Sequence, residues 1–309
     1  MSPLESRARE YLALRRSLGH KLEEHGRRLP SLVAFLEQNG NTTVTVEAAL
    51  AWAQQHDRPP GSSVPPSRMR IARGFARFMS GIDPATEVPP PGLLPARRSR
   101  RIPYLYTPAD IQALMLAADE IPTPLRSATY RTLIGLLAAT GMRVGEAIRL
   151  SRADIDWDDG LLVIRETKFG KSRELVLHDT TIDALAEYAR VRDQRFPQPR
   201  CDAFLVSLRG TRLRKNCIQH MFARLLRVAG VRPRSPRCRP RVHDLRHAYA
   251  VRTLLEWYRD GVDVQARLPL LSTYLGHVNP ASTFYYLHAA PELLGLIAQR
   301  LDATIEDLA

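Results

Sequence analysis

Cysteine is scarce in this sequence, and long apolar runs are missing from it. Cys201, Cys217 and Cys238 are odd in number and form no CxxC pair, so the sequence predicts neither a disulfide framework nor a zinc site. No run approaches the roughly 18 apolar residues of a membrane span, and the opening MSPLESRARE lacks the layout of a secretory signal. We therefore expect a cytoplasmic protein with no membrane partner.

Acidic residues are also few relative to basic ones. The chain has 309 residues, with 45 Lys and Arg against 32 Asp and Glu, which gives a formal net charge of +13 and an isoelectric point near 10.2. This excess favours a polyanionic partner, and because no membrane segment is predicted, we expect nucleic acid. The length is sufficient for two domains.

The first 83 residues predict an all-helical domain. Apolar residues recur at helical spacing from residue 7 to residue 37, and Gly26 and Pro30 are expected to interrupt this pattern and divide it into two helices. Thr45 is placed to cap a third helix. The segment SRMRIARGFARFM then sets apolar residues on one face and arginines on the other, which predicts a basic amphipathic helix.

Residues 84–103 predict an extended basic linker between two domains. Six prolines in this segment remove backbone donors and resist helix formation. Its positive charge comes from Arg97, Arg98, Arg100 and Arg101.

A second domain, residues 104–290, is predicted to be helical with a small sheet. Thr107 and Pro108 have the pattern of a cap and a first helical residue. A mostly apolar helix follows, with a turn at Gly141 and a short second helix. The segments on either side of residues 168–172 alternate and are rich in β-forming residues, which predicts a hairpin with a basic tip.

The residues that could carry chemistry occur in five motifs along this domain. They are Arg143 in ATGMRVGEAIRL, Lys168 in ETKFGKSRELVL, His243 and Arg246 in HDLRH, His277 in LGH, and Tyr286 in STFYYLH. In this order and at these spacings, the set resembles the tyrosine recombinase family, also called phage integrases. The resemblance covers the whole second domain and, more loosely, the helical first domain.

The resemblance implies a fold and a reaction. The fold is mainly α, with an N-terminal helical core-binding domain and a mixed α/β catalytic domain containing a small antiparallel sheet. The reaction is site-specific recombination of double-stranded DNA through a 3′-phosphotyrosine, carried out by a homo-oligomer, expected to be a tetramer. No metal or cofactor is expected, and the sequence has no GxxxxGK[ST] loop. The tail 291–309 would dock on a neighbouring protomer or pack on its own domain.

The residue types agree with this chemistry. Cleaving a phosphodiester requires a nucleophile, cations that stabilise charge on the non-bridging oxygens, and an acid for the departing oxygen. Tyr286 would be the nucleophile, and the two arginines of the set have the planar fork that binds phosphate. The two imidazoles can donate to the phosphate or accept a proton near it. By resemblance, Lys168 is the acid.

Two positions in the first motifs have alternative interpretations. Arg143 could be an ordinary arginine at a helix start, but Glu146, one turn later, is placed to hold its guanidinium. Lys171 competes with Lys168, and the pattern TK followed by GKSR resembles the family hairpin with its catalytic lysine first.

The tyrosine motif has an alternative as well. Tyr285 competes with Tyr286, but its offset from His277 is one residue short, which on a helix turns it about 100° away. His247 and His288 are interpreted as structural residues or as neighbours of the phosphate.

Three other functions are compatible with parts of this pattern. A type IB topoisomerase would use similar residues and rejoin its own strand. A metal-dependent transposase would need separated carboxylates, whereas the dense group Asp154, Asp156, Asp158 and Asp159 is more typical of a turn before a hairpin. The third is a DNA-binding accessory protein without catalytic activity.

Overall fold

The computed structural model describes residues 2–20, 22–55, 62–94, 102–165 and 172–277, together with Asn279, Thr283, Phe284 and Tyr286. It is mainly helical with one small antiparallel sheet, as the sequence predicts. The chain divides into two compact units, Met1–Ser99 and Arg100–Ala309, and this division falls inside segment 84–103. Among the described residues, no helix is both long and apolar enough to cross a membrane.

The N-terminal unit contains four described helices around one core. They are α1 Pro3–Ser17, α2 Glu23–Gln38, α3 Val46–Gln54 and α4 Val64–Met79. The core contains fully buried Leu32, Trp52 and Phe75, one from each of the last three helices. The Thr45 cap is confirmed, since its side chain accepts the backbone N–H of Ala48 at 3.1 Å.

Helix α2 continues through the two residues that were expected to interrupt it. Gly26 and Pro30 both lie inside α2, and the break between the first two helices precedes it, where Leu22 adopts a left-handed backbone with φ 43°. A proline inside a helix costs about 3 kcal/mol, whereas full burial of one leucine contributes about 1.5–3 kcal/mol. Because α2 buries four apolar residues, packing outweighs the proline, and the predicted position of the break was wrong.

Residues 84–94, which follow α4 in the same unit, contain no helix or strand, and their Leu93 and Leu94 pack against the core of that unit. Arg73 of α4 donates from Nε to the carbonyl of Pro89 at 2.7 Å and from Nη2 to that of Pro90 at 2.6 Å. The arginines predicted in the linker lie outside the described residues.

The second unit has seven described helices, a short 3₁₀ turn and three strands. In chain order these are α5 Pro108–Asp119, α6 Pro124–Thr140, α7 Val144–Arg149, the 3₁₀ turn Arg152–Asp154, β1 Ile155–Asp156, β2 Leu161–Ile164, β3 Arg173–Val176, α8 Asp179–Arg195, α9 Lys215–Val228, α10 Asp244–Arg259 and α11 Val264–Leu275. Thr107 caps α5 and Pro108 is its first residue, as predicted. Helix α6 packs against α5, α8 and α10 and therefore forms the centre of this unit.

The sheet has the order β1-β2-β3 with antiparallel neighbours, which confirms the predicted hairpin. Leu162 of β2 pairs with Leu175 of β3, and both are buried. The turn before β2 is also confirmed, because Asp156 Oδ1 accepts the backbone N–H groups of Asp158 and Asp159, each at 3.1 Å. The tip of the hairpin, residues 166–171, lies outside the described residues.

Two helices of this unit end at glycines with positive φ, and both ends lie at the site. Gly141 ends α6 with φ 59°, as the predicted turn requires, and Gly276 ends α11 with φ 66°. A Cβ at Gly141 would lie 2.5 Å from the ring of Tyr249. Conformation and space therefore both require glycine at this position.

Candidate active site

Arg143 and Glu146 form the first part of the site, at the start of α7. The buried carboxylate of Glu146 accepts the backbone N–H of Arg143 at 2.9 Å and its Nη1 at 2.8 Å. The predicted contact between the two residues is confirmed. Arg143 Nη2 donates to the carbonyl of Gly276 at 2.9 Å, while 33% of the side chain stays exposed. The guanidinium is thus oriented by its neighbours and still accessible to a ligand.

Arg246, in the first turn of α10, is only 2% exposed. Its Nη1 donates to the carbonyl of Gly141 at 2.9 Å and its Nη2 to that of Leu275 at 2.6 Å. Burial, followed by the charge of Arg143, lowers the pKa of Arg246 to about 10, while attraction to Tyr286 opposes this shift. The group stays positively charged at neutral pH, and carbonyls at the ends of α6 and α11 accept its hydrogen bonds.

The start of α10 is fixed by an ion pair. Asp244, fully buried, accepts the backbone N–H and Nε of Arg241, both at 3.0 Å, and its Nη2 at 2.6 Å. An acidic residue in the first turn also complements the positive end of the helix dipole. This arrangement positions His243 and Arg246, which flank Asp244.

Two imidazoles lie beside Tyr286, and a third lies beside one of them. The ring centroids of His247 and His277 lie 5.4 Å and 5.9 Å from that of Tyr286, and the His243 ring lies 5.0 Å from that of His247. Burial and then neighbouring positive charges lower the pKa of each histidine to about 4. His243 keeps part of its side chain exposed, so in its case it is partial burial, followed by the charges of His247 and Arg246, that lowers the pKa. All three are neutral at pH 7.

Tyr286 is 2% exposed and lies within hydrogen-bonding reach of Arg246. The structure therefore brings together five of the six predicted site residues: Arg143, His243, Arg246, His277 and Tyr286. The sixth, Lys168, lies outside the described residues, as do its competitor Lys171, the competing Tyr285 and also His288.

Two polar contacts at the site involve residues that sequence reasoning did not single out. Arg173, at the start of β3, pairs with Glu146 at 2.8 Å. Thr283, buried, places its Oγ1 2.8 Å from Nδ1 of His277. Arg173 had no distinguishing signal, because it follows other basic residues of the hairpin and its partner is 27 positions away. Thr283 could have been found from its position one helical turn before Tyr286.

The acidic group near the hairpin is occupied by structural contacts. Asp154 accepts the backbone N–H of Ser151 at 2.8 Å and pairs with Arg165 at 2.7 Å. Across the part of the chain that the structure describes, no group of three or more His, Cys, Asp or Glu side chains is arranged to hold a metal ion. These carboxylates therefore match the predicted turn.

Comparison with known proteins gives a consistent result. The model of the phage integrase family matches residues 105–292. The chain is 43% identical over 313 residues to the putative integrase/recombinase y4rB of Sinorhizobium fredii strain NBRC 101917 / NGR234, with 99% of each chain covered. It is 29% identical over 202 residues to the tyrosine recombinase XerD of Ralstonia nicotianae, covering 64% of this chain and 60% of that protein.

Solved structures share the fold. The Tn1549 transposon integrase in complex with transposon right end DNA matches with a TM-score of 0.63 and 17% sequence identity, over 96% of this chain and 99% of that chain. Because the relatives are named integrases and recombinases, the topoisomerase and accessory-protein alternatives are not favoured. The chain therefore belongs to the phage integrase family and is a site-specific tyrosine recombinase, an enzyme that cleaves and rejoins DNA through a covalent tyrosine intermediate.

Proposed function

We propose that Tyr286 is the nucleophile and that its substrate is a phosphodiester of double-stranded DNA. The observation that carries this proposal is the position of the phenol, next to the charged Arg246 and close to the neutral rings of His247 and His277. A phenol with a reference pKa near 10 must lose its proton as it attacks. Cations beside the oxygen favour that loss, and neutral imidazoles can accept a proton.

The proposed step exchanges one ester bond for another. Tyr286 Oη bonds to phosphorus and the bond from phosphorus to the 5′-oxygen breaks, which leaves a 3′-phosphotyrosine. The phenolic proton passes to a neighbouring base and the departing oxygen takes one from an acid. A 5′-hydroxyl from the partner strand then attacks phosphorus and releases the tyrosine. Because the number of ester bonds is unchanged, the scheme requires no nucleotide hydrolysis.

The remaining roles follow from charge and position. Arg143 and Arg246 bind the non-bridging oxygens, where the transition state gains charge. His243 and His277 donate to the phosphate or accept a proton near it. Lys168 is the proposed acid for the 5′-oxygen, an assignment supported by its place in the family-like hairpin sequence.

The proposed assembly is a homo-oligomer on DNA, a tetramer when two sites are paired. The net charge of +13 supports a polyanionic partner, and the resemblance to the family supports the tetramer. The tail 291–309, outside the described residues, is proposed to dock on a neighbouring protomer or on its own domain.

Replacement of the nucleophile tests the proposal. Tyr286→Phe removes only the hydroxyl, so it should bind DNA normally and form no covalent complex, whereas Tyr285→Phe should still be trapped. The assay is a nicked suicide substrate resolved on a denaturing gel. Covalent product from Tyr286→Phe would overturn the assignment, and relaxation of a supercoiled plasmid that lacks a recombination site would favour the topoisomerase alternative.

A further inference from the structure

Arg173 is a buried cation beside the site, with 9% of its side chain exposed. Its Nε donates to the carbonyl of Tyr274 at 2.7 Å, its Nη2 to Glu146 Oε2 at 2.8 Å and its Nη1 to Glu146 Oε1 at 3.3 Å. Every nitrogen of the guanidinium therefore has a protein acceptor. Arg173 therefore lies within the site's charge network, with its guanidinium held by Glu146 and by the carbonyl of Tyr274.

Glu146 is shared between this arginine and Arg143. Oε1 accepts from Nη1 of both arginines, and Oε2 accepts the backbone N–H of Arg143 as well as Nη2 of Arg173. Burial opposes ionisation of Glu146, but the hydrogen bonds and charge of Arg173, followed by those of Arg143, hold its pKa at about 2. The carboxylate is thus ionised at neutral pH.

The charges in this cluster do not cancel. One carboxylate and two guanidiniums carry a net charge of +1, whereas Arg143 and Glu146 alone would be neutral. A buried carboxylate attracts a single guanidinium partner strongly, because the surrounding dielectric is low. With one partner only, Glu146 would compete directly with a phosphate for Arg143.

The two guanidiniums also converge on Gly276. A Cβ built there would lie 2.7 Å from Arg173 Nη1 and 3.5 Å from Arg143 Nη1, and the carbonyl of Gly276 accepts Nη2 of Arg143. Arg173 therefore supports the same helix end that orients Arg143.

We propose that Arg173 is a positioning residue for DNA cleavage, which neutralises Glu146 and thereby leaves the charge of Arg143 available to the scissile phosphate. This inference rests on the proposed role of Arg143 as a phosphate ligand. It differs from a purely structural role, in which Arg173 would only tie β3 to the end of α11.

The test compares two substrates with one protein preparation. The first is an ordinary phosphodiester and the second carries a methylphosphonate at the scissile position, where a methyl group replaces the charged non-bridging oxygen. Arg173→Met should cleave the phosphodiester about 100-fold more slowly than the wild type, the order of one lost charge-stabilising group, and most of this loss should disappear on the methylphosphonate. The ratio of the two rates does not depend on how much of the preparation is folded.

Arg192→Met is the matched control. Arg192 is also a buried arginine that pairs with a carboxylate, that of Asp193, and donates to a backbone carbonyl, that of Phe204, but it lies outside the site. This variant should lower both rates by the same factor. Arg173→Lys, which keeps a cation beside Glu146, should retain a ratio close to that of the wild type.

Arg143→Ala is measured on the same two substrates. Four outcomes then test the inference about Arg173 separately from the proposed role of Arg143 as a phosphate ligand. Equal loss on both substrates for Arg173→Met would mean a structural role and would overturn the inference, as would an Arg173→Lys ratio like that of Arg173→Met. If Arg143→Ala recovers on the methylphosphonate and Arg173→Met does not, the inference alone fails. If Arg143→Ala does not recover either, the proposed phosphate contact of Arg143 fails.

A double variant covers the case in which Arg173→Met does not fold. Glu146→Gln/Arg173→Met removes the carboxylate together with its counter-charge and so leaves no unpaired buried anion. It should cleave the phosphodiester at the rate of Glu146→Gln alone. A further loss in the double variant would show that Arg173 acts by something other than neutralising Glu146.

Discussion

The two sides of the site are held in different ways. We call the group Arg143, Glu146 and Arg173 the charged side, and the group Arg246, His247, His277 and Tyr286 the histidine side. A buried carboxylate with two counter-cations organises the charged side. The histidine side is organised by backbone carbonyls, by burial of its rings and by the buried Asp244, whose Oδ1 lies 3.9 Å from Nε2 of His247.

This difference has a physical consequence for each side. On the charged side, the positions of the side chains depend on the balance of their charges, so a substitution that keeps the charge should be tolerated. On the histidine side, groups are kept neutral or desolvated, so a substitution that changes hydration should be costly even at constant charge.

The largest expected contrast is between lysine substitutions of the two site arginines. Arg246→Lys should slow single-turnover cleavage about 100- to 1,000-fold, the range for loss of a charge-stabilising donor. It should also lower the free energy of unfolding by about 2 kcal/mol or more, because a lysine cannot reach both buried carbonyls. Arg143→Lys, which keeps a cation beside Glu146 at a position where a third of the side chain is exposed, should lose less on both measures. Equal losses in cleavage assays and urea titrations would contradict the contrast.

The two sides should also lose stability in different pH windows. His247 and His277 have a pKa of about 4 in the folded chain, against about 6.5 when unfolded. The unfolded chain therefore binds more protons between these values, and the free energy of unfolding should fall as the pH drops from about 6.5 to about 4. Glu146, with a folded pKa of about 2, should contribute stability above its unfolded pKa of about 4.3 that is lost on acidification towards pH 2.

Urea unfolding at a series of pH values measures both windows. Glu146→Gln should reduce the slope of stability against pH below about 4.3 and leave the slope between pH 4 and 6.5 unchanged. If Glu146→Gln changes the slope only in the histidine range, between about pH 4 and about pH 6.5, the assignment of the two pH ranges to Glu146 and to the histidines is wrong.

The smallest effect concerns Thr283 on the histidine side. Thr283→Val removes the hydroxyl next to His277 Nδ1 and should slow single-turnover cleavage by about 2- to 10-fold, since one neutral hydrogen bond contributes about 0.5–1.5 kcal/mol. Thr283→Ser keeps the hydroxyl and should cleave like the wild type. If Ser and Val behave alike, the hydroxyl does not position the imidazole.

Local rules were sufficient for part of the fold. The caps at Thr45 and Thr107, the turn at Gly141 and the β2–β3 hairpin each follow from a few neighbouring residues. The course of α2 through Pro30 did not follow, because it depends on tertiary burial that outweighs a local penalty. Local patterns thus predict where an element begins or ends, except where packing decides.

At the site, too, contacts between neighbouring residues could be predicted from the sequence, whereas contacts made by tertiary packing could not. The contact of Arg143 with Glu146 spans three residues and could be predicted from spacing on a helix. The second partner of Glu146 could not, since Arg173 reaches it only after β3 packs against α11. The carbonyls that hold Arg246 carry no signal in the sequence, because every residue has one.

The backbone carbonyls that hold the site arginines determine which mutations leave the site intact. Arg143 and Arg246 are held by main-chain oxygens of Gly141, Leu275 and Gly276, at the ends of α6 and α11. Most substitutions near these ends leave the oxygens in place. An insertion or deletion of one residue in the last turn of either helix would rotate them by about 100°. Substitutions around the site are therefore tolerated as long as the two helices keep their length and Gly141 and Gly276 are retained.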